Sequence, residues 1–528
     1  MKHFNVTFKP DDKQISIHAG ATVLEAAGQA GIILNSACGG KGTCKKCLVN
    51  LEPDAKQVLA CQYHIQSDLA VTIPPSSRFF EQKILEHGID THLRIRPTIH
   101  EKYTDSKDKI FGLAVDIGTT TVVAKLINMV NGQCLATQAA LNPQSRHGDD
   151  VVSRIAYAKT DQNLAELQKL IINCINDLIA KLCKQASINV KHIYEMCVVG
   201  NTTMGHLFLR LPVEQLGLAP YKAFSLDAHD TPAARLHLQI NPDANVHTVE
   251  NIAGFVGSDT TAVTLATGID SADQMSLIVD IGTNGEIVFG TKDKLYAASC
   301  AAGPALEGAR ISCGSRAVEG AIEAVVANED GIDLDVIGGC PPRSICGSGL
   351  IDAVAELLDL GIIDASGRFN DPNTLAGKPP PAIIDRIIEQ DEQLCFCLNR
   401  AANVSERSVV LTQKDIREVQ LAKAAIRAGT KILQRKLGIE DADIEQILLA
   451  GAFGNYTRPK SALRIGLLPR VQVERIRFVG NAASSGAQMI LLNSALRAEA
   501  KQLARKIEYI EIAHEPDFQT VFAESMSF

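Results

Sequence analysis

The sequence predicts a multidomain chain, α+β at its amino-terminal end and α/β over the larger remainder. Three observations carry this. From residue 111 onward, short apolar runs alternate with longer amphipathic stretches, which is the pattern of strands and helices in an α/β fold. Within that region LAVDIGTTTVVAKL, residues 113–126, returns as LIVDIGTNGEIVFG, residues 277–290, so one device occurs twice. The first eighty residues differ in kind: strand, turn, strand and helix lead into a cysteine-bearing loop, and Pro74-Pro75 closes the stretch.

Composition narrows the class. A length of 528 residues suggests about three domains on a prior of ~150 residues each. Apolar residues at 46 % and charged residues at 21 % match a globular balance and argue against wholesale disorder. Net charge is −8 without a basic block, which argues against nucleic acid as partner. No apolar run approaches the ~20 residues that cross a bilayer, and MKHFNVTFKPDDKQISI reads as strand, turn, strand rather than an export segment. A cytoplasmic protein without a membrane partner is expected. The fourteen cysteines then read as thiols or metal ligands rather than disulfides.

In the first region Phe4, Val6 and Phe8 alternate with polar neighbours, Asp11-Asp12 turns the chain, and Ile15 and Ile17 alternate again, giving a hairpin. Thr22 to Ala27 is a short helix that Thr22 caps, with Glu25 completing a capping box. Cys38, Cys44, Cys47 and Cys61 follow with the spacing C-x5-C-x2-C-x13-C, and Leu48 to Leu51 is a strand. Four thiolates can hold zinc or a 2Fe-2S cluster. Structural zinc usually takes two short knuckles, whereas three of these cysteines share one glycine-rich loop and the fourth stands apart, so the spacing favours the cluster; zinc and plain thiols remain the alternatives. Gly39, Gly40 and Gly42 let backbone N–H groups turn toward the sulfurs and offset cluster charge. This order of elements resembles the plant and adrenodoxin type of ferredoxin, a β-grasp fold. The first cysteine interval is one residue longer than in the plant type and the last is short, which implies a divergent branch.

The other cysteines read differently. Cys174 lies on an apolar helical stripe with Leu164, Leu167, Ile171, Leu178 and Leu182, as a core residue does. Cys395 and Cys397 are too close for a zinc knuckle and are expected on alternate faces of a strand. The thirteen histidines form no H-E-x-x-H or H-x-x-E-H pair, so a catalytic zinc has no support. Residues 78–110 are expected to be a linker carrying a short helix at 81–89, a tether that lets the unit at 1–77 move relative to the rest.

In the large unit, 111–528, each D-I-G-T segment reads as a hairpin with a polar tip, where glycine admits an anion to the backbone. Two tips facing each other make a phosphate clamp. CVVGNTTMGHL, ILLAGAFGNY and RFVGNAASSGAQMIL are further strands ending at glycine, where open α/β sheets bind ligands. Thr412 to Asp415 has capping-box form, and Ile416, Val419, Ile426, Leu433 and Leu437 then mark a long helix ending before Gly438.

The two D-I-G-T hairpins and the late strand with Ala450-Gly451-Ala452-Phe453-Gly454 resemble the phosphate and adenosine motifs of the acetate kinase, sugar kinase, Hsp70 and actin (ASKHA) superfamily. The resemblance implies a duplicated RNase H-like ATPase domain with halves at 111–275 and 276–528 and ATP in the cleft between them. It implies that Asp116 holds Mg²⁺ through water, that Gly118, Thr119 and Thr120 face Asp280, Gly282, Thr283 and Asn284 across the phosphates, and that Gly451, Ala452, Phe453 and Gly454 lie against adenosine. A turn acid is the bland reading of Asp116 and Asp280.

A 2Fe-2S ferredoxin domain joined to this ATPase, with AAGPALEGARIS at 301–312 and ICGSGLIDAVAELL at 345–358, resembles the reductive activators of corrinoid proteins in anaerobic methyl-transfer systems. That resemblance implies an enzyme, an ATP-dependent reductase that returns inactive Co(II) to Co(I) in a corrinoid (B12) protein. Its electron donor is expected to be a flavodoxin, ferredoxin or reductase, and a homodimer is compatible with it. Ser299, before the small loop Cys300 to Pro304, is a candidate contact to cobalt; a loop packed between subdomains is the alternative. A redox-regulated small-molecule kinase and a non-catalytic redox-sensing nucleotide-binding protein are the competing functions.

Overall fold

A computed structural model describes residues 2–10, 12–30, 32, 34, 47–53, 56–74, 77, 95–101, 109–148, 150–282, 284–308, 310–328, 331–375, 379–400, 408–451 and 457–528. In the amino-terminal unit the expected alternation builds a hairpin from β1 (His3–Lys9) and β2 (Lys13–His18), pairing Phe4 with Ile17 and Val6 with Ile15. Val6, Phe8 and Ile17 are fully buried. Helix α1 (Val23–Gln29) follows with Thr22 at its N-cap and both bonds of the Thr22–Glu25 box formed. Strands β3 (Leu48–Leu51), β4 (Lys56–Leu59) and β5 (Leu69–Thr72) complete a mixed sheet in the order β2-β1-β5-β3-β4, with β1 and β5 parallel.

The expected tether is partly docked. Arg96 N–H donates to Leu492 O, Ser494 N–H donates to Arg96 O, and Ile99 is buried in the large unit. The apolar Ile95 and Ile99 explain this, since leaving them in water would forfeit their burial. The helix expected at 81–89 lies outside the described residues.

The first half of the large unit contains β6 (Phe111–Ile117), β7 (Thr121–Asn128), β8 (Cys134–Leu141), α2 (Val151–Tyr157), α3 (Asp161–Ala186), β9 (Ile193–Gly200), α4 (Thr202–Leu209), β10 (His229–Pro232), β11 (Asn245–Thr248) and α5 (Ser258–Thr267). Its sheet runs β10-β11-β9-β6-β7-β8.

The second half opens with β12 (Ser276–Ile281), β13 (Gly285–Gly290) and β14 (Leu295–Cys300). An insertion follows: β15 (Ala321–Asn328), β16 (Gly331–Val336), β17 (Ser344–Ile345), α6 (Gly347–Asp359), α7 (Pro381–Ile384), β18 (Ile387–Gln390), β19 (Gln393–Asn399) and β20 (Val409–Thr412). It forms two small sheets, β16-β15-β17 and β18-β19-β20. The half closes with α8 (Gln413–Leu437), β21 (Gln446–Ala450), α9 (Pro459–Arg464), β22 (Ile476–Gly480), α10 (Ala482–Leu492), α11 (Ala495–Lys506), β23 (Glu508–Tyr509) and α12 (Phe518–Glu524). The order β22-β21-β12-β13-β14-β23 repeats the first sheet, β12, β13, β14, β21 and β22 taking the places of β6, β7, β8, β9 and β11. The sequence repeat is therefore a structural duplication.

Period-2 alternation decides where the key acids go. On β6, Leu113, Val115 and Ile117 belong to the core outside the first sheet, while Ala114 belongs to the core between the sheets. On β12, Leu277, Val279 and Ile281 face outward and Ile278 inward. Asp116 and Asp280 share the inward parity of Ala114 and Ile278. Cys174 is buried on the apolar stripe of α3, as expected. Cys395 and Cys397 do lie on a strand, β19, but the expectation of alternate faces is wrong: two residues apart, they share one face.

The halves meet through α5 and α10. A Cβ at Gly486 would lie 2.2 Å from Ala262 O, so glycine lets the two helices approach to backbone contact. Gly486→Ala is expected to lower the denaturant midpoint of the large unit, corresponding to about 1–3 kcal/mol of overpacking. An unchanged midpoint in a urea titration followed by circular dichroism would contradict this packing.

Candidate functional site

Between the two sheets lies a cleft of about 390 Å³, within the ~300–1,000 Å³ usual for small-molecule sites. From the first hairpin Asp116, Gly118, Thr119 and Thr120 line it; from the second, Asp280, Gly282 and Asn284; and Gly451 from the end of β21. Thus eight of the residues singled out in the sequence meet in one cavity. Thr283, Ala452, Phe453 and Gly454 lie outside the described residues.

The first tip is held from behind by buried polar side chains. Gly118 N–H donates to Thr121 O at 2.9 Å, and a Cβ on Gly118 would come within 2.7 Å of that oxygen. Asn142, fully buried, donates to Gly118 O at 2.9 Å. Arg154, also fully buried, donates to Thr119 O at 2.6 Å and to Gly148 O at 2.9 Å. These bonds, of which those from Arg154 are charge-assisted, hold the tip in a buried setting where losing them is costly.

Two asparagines act alike. Asn201 follows β9 and caps α4, accepting from Met204 N–H at 3.0 Å, while its Nδ2 donates to Thr119 Oγ1 at 2.9 Å. Asn481 follows β22 and caps α10, accepting from Ser484 N–H at 2.8 Å, while its Nδ2 donates across the cleft to Asp116 Oδ2 at 3.1 Å. On the opposite wall a Cβ at Gly451, whose φ is +89°, would lie 2.5 Å from Asp280 Oδ1. Glycine there lets β21 approach the second acid.

Sequence reasoning missed Asn201, Asn481, Asp259, Glu286, Glu307 and Arg316, all of which line the cleft. The asparagines carried a signal, since both stand in a Val-Gly-Asn step between strand and helix. Asp259 has a weaker version of it, Val-Gly-Ser-Asp running into the first turn of α5. Glu286, Glu307 and Arg316 had none.

Ser299 is not among the cleft-lining residues. It pairs across the ladder with Glu286, which does line the cleft, so it stands one strand further out on β14.

In the amino-terminal unit Cys47 Sγ and Cys61 Sγ are 3.4 Å apart and both residues are buried. A disulfide would need about 2.05 Å, whereas two thiolates ~2.3 Å from one tetrahedral metal stand ~3.7 Å apart. The pair therefore fits shared ligation. It is pinned by Ala60 N–H donating to Cys47 O at 2.9 Å, and Leu24 N–H, at the start of α1, donates to Ala60 O at 2.9 Å. Cys38 and Cys44 lie outside the described residues.

Three sequence profiles match this chain: the 2Fe-2S iron-sulfur cluster binding domain at residues 4–74, the RACo middle region at 111–272, and the C-terminal domain of RACo, the ASKHA domain, at 274–528. The chain is 35 % identical to the corrinoid activation enzyme RamQ of Eubacterium limosum, with 99 % of each chain covered. It belongs to the family of reductive activators of corrinoid proteins. A solved reductive activator for corrinoid, iron-sulfur protein is similar at 33 % identity and a TM-score of 0.73, over 99 % of this chain and 98 % of that one. The Co(II) methylated amine-specific corrinoid protein reductase of Methanosarcina barkeri is 23 % identical over 79 % of this chain and 77 % of its own. Among the described residues, no helix of this activator is long and apolar enough to cross a membrane.

The activator's cleft is strongly acidic. Burial and the charge of Asp259 push Asp116 up to about 7, against the pull of the Asn481 amide and Lys125. Burial, Asp259 and Asp116 push Asp280 up to about 7. Asp259 rises to about 6 through burial, and burial with Asp259 and Asp280 holds Glu286 well above the ordinary carboxyl range. Such a donor set fits a hard divalent cation as its counter-charge. Among the described residues no three His, Cys, Asp or Glu side chains converge closely enough to hold a metal ion directly.

Because Asp116, Asp259 and Asp280 bind protons more tightly when folded, the unfolded chain releases them at lower pH, and stability falls as pH rises from about 4 to about 7. With chelator present, the unfolding midpoint is therefore expected to drop between about pH 5 and about pH 8 and the drop to shrink in Asp116→Asn. Mg²⁺ should raise the midpoint most above neutral pH. A drop of the same size in wild type and Asp116→Asn would count against this charge cluster.

Proposed function

We propose that this chain carries out ATP-dependent reductive activation, the one-electron reduction of an inactive Co(II) corrinoid protein to Co(I). The observation that carries the reading is the meeting of both D-I-G-T acids, one from each half, in a single cleft within a chain that also brings Cys47 and Cys61 into ligating proximity. Cys38, Cys44, Cys47 and Cys61 would hold a 2Fe-2S cluster, which supplies a one-electron carrier when bound. The unit at 1–77 delivers the electron, 78–110 connects it, and 111–528 binds nucleotide.

In the cleft Asp116 would hold Mg²⁺, with Asp280 lining the same cavity from the other half, and the cation would offset phosphate charge. Gly118, Thr119 and Thr120 take the phosphates from one side and Gly282, Thr283 and Asn284 from the other, while Gly451, Ala452, Phe453 and Gly454 lie against adenosine. Side chains of the two halves already meet: Asn481 reaches Asp116, and Thr120 Oγ1 donates to Glu307 Oε2 at 3.4 Å. Binding of ATP and Mg²⁺ at these contacts changes the energy of closure, and only such a difference between open and closed states can drive a partner's equilibrium. Energy is needed because Co(I) is strongly reducing: a plant-type cluster lies near ~−400 mV, and every ~100 mV of shortfall costs about 2.3 kcal/mol per electron. Ser299 faces the corrinoid, and the chain works in the cytoplasm with a flavodoxin, ferredoxin or reductase as donor, as a monomer or homodimer.

The test is anaerobic absorbance spectroscopy of a B12 protein with reductant, ATP and the cluster-loaded chain. Co(I) should form only with ATP, and should be lost in Cys47→Ser and Asp280→Asn. Persistent Co(II) with every candidate partner, while the cluster is reduced, would falsify the reading. Ser299→Ala should alter the Co(II) spectrum of the complex; an unchanged spectrum with normal activation removes that residue from the proposal.

A further inference from the structure

One loop brings to the cleft an acid and a base that none of the nucleotide motifs contains. Glu307 ends the 3₁₀ turn Pro304–Glu307, and Arg316 follows nine positions later on the return of the same loop; both line the cleft. The two limbs cross through glycine. A Cβ at Gly308, whose φ is +80°, would lie 2.1 Å from Ser315 O, and one at Gly314 would lie 2.0 Å from Gly308 O. Ser315 N–H donates to Ile345 O at 2.9 Å, tying the crossing to β17. Glu307 and Arg316 thus flank a backbone crossing that no larger residue at 308 or 314 would permit.

Their surroundings differ. Glu307 Oε2 accepts from Thr120 Oγ1 at 3.4 Å, so its carboxylate faces the tip of the first hairpin from the opposite half. Arg316 is solvent-exposed and is the one Lys or Arg among the described residues lining the cleft, where the other charged groups are Asp116, Asp259, Asp280, Glu286 and Glu307. A triphosphate in such a cleft needs positive charge beyond a single cation, and an exposed guanidinium lining it can bond two phosphate oxygens at once. Glu286 is the rival acid, but it pairs with Asp280 in the ladder of its own half, whereas Glu307 bonds the tip of the first hairpin across the cleft.

We propose that Glu307 and Arg316 are the catalytic pair for ATP hydrolysis in this cleft, Arg316 binding the γ-phosphate oxygens and Glu307 orienting the attacking water. The proposal rests on the nucleotide reading above. In the step, the water oxygen forms a bond to the γ-phosphorus as the bond from phosphorus to the β,γ-bridging oxygen breaks. ADP leaves with that electron pair, and one proton of the water passes to the Glu307 carboxylate and on to the released phosphate. Arg316 balances the charge spread over the transferring group and moves no proton.

The experiment measures ATP and ADP affinity by calorimetry, and phosphate release, in the full cluster-loaded chain and in Glu307→Gln, Arg316→Ala and Arg316→Lys. Glu307→Gln should bind ATP as wild type does and release phosphate ~10²-fold or more slowly. Arg316→Ala should lose ~10²–10³-fold in turnover and weaken ATP relative to ADP, with partial recovery in Arg316→Lys. Cluster absorbance and unfolding midpoints equal to wild type exclude misfolding as the cause. Wild-type turnover in both Glu307→Gln and Arg316→Ala overturns the pair while leaving the nucleotide site standing. A wild-type chain that binds no ATP overturns the nucleotide reading itself, and the pair with it, so the two failures are told apart by the wild-type arm.

Discussion

Uncompensated negative charge in the cleft is the constraint around which the large unit is arranged. Alternation along β6 and β12 aims Asp116 and Asp280 inward, and the start of α5 adds Asp259. Taking several carboxylates out of water is expensive unless each finds a partner. The described residues supply part of the answer: the Asn481 amide on Asp116, the Thr260 N–H and hydroxyl on Asp259, and Lys125 at longer range. Protonation or a cation must supply the rest. On the proposed reading a divalent cation would supply part of that counter-charge and Arg316 a further part, so that the empty and the filled cleft would differ in energy, as a site that drives a conformational change requires.

Such a difference is useful only if the groups sensing it are rigid within each half and joined between halves. Rigidity comes from Asn142, Arg154 and Asn201, whose buried bonds fix the backbone and hydroxyl of the first tip. Joining comes from a few contacts, with Asn481 and Asp116 deep in the cleft and Thr120 and Glu307 at its wall, above the close packing of α5 on α10 at Gly486. Asn481 has two tasks. It caps the helix that forms the seam between the halves and bonds Asp116, so charge at Asp116 is coupled directly to that seam.

The amino-terminal unit reaches its chemistry by another route. Its sulfur pair is set by the backbone of Ala60, held between Cys47 and the first turn of α1, so the capping box at Thr22 and the cluster site share one small framework. The unit also touches the insertion of the large unit, where His3 Nε2 lies 2.6 Å from Asp335 Oδ1 on β16. Together with the docking of Arg96 and Ile99, this ties the electron-carrying end to the nucleotide-binding end at defined points.

Local chemistry explains what was legible in the chain. The Thr22 and Thr412 capping boxes, the stripe of α3 and the hairpins on either side of Gly118 and Gly282 depend on neighbours a few residues away, and their patterns are written in consecutive positions. The duplication was legible because Asp116 and Asp280 need the same turn twice. Cys395 and Cys397 were misread for want of strand parity alone, and the docking of Ile95 and Ile99 depends on a surface formed some four hundred residues further on.

The sequence by itself determined the two classes of chemistry, four cysteines in a cluster-like spacing and a repeated anion-binding hairpin, because each is specified by residue types at short fixed intervals. Tertiary structure alone decided which side chains complete the cleft. Asn481 meets Asp116 and Glu307 meets Thr120 across long stretches of chain, and Arg316 joins them because Gly308 and Gly314 let a loop cross itself. Contacts of that range follow from how the two halves pack through α5 and α10, which no local pattern encodes.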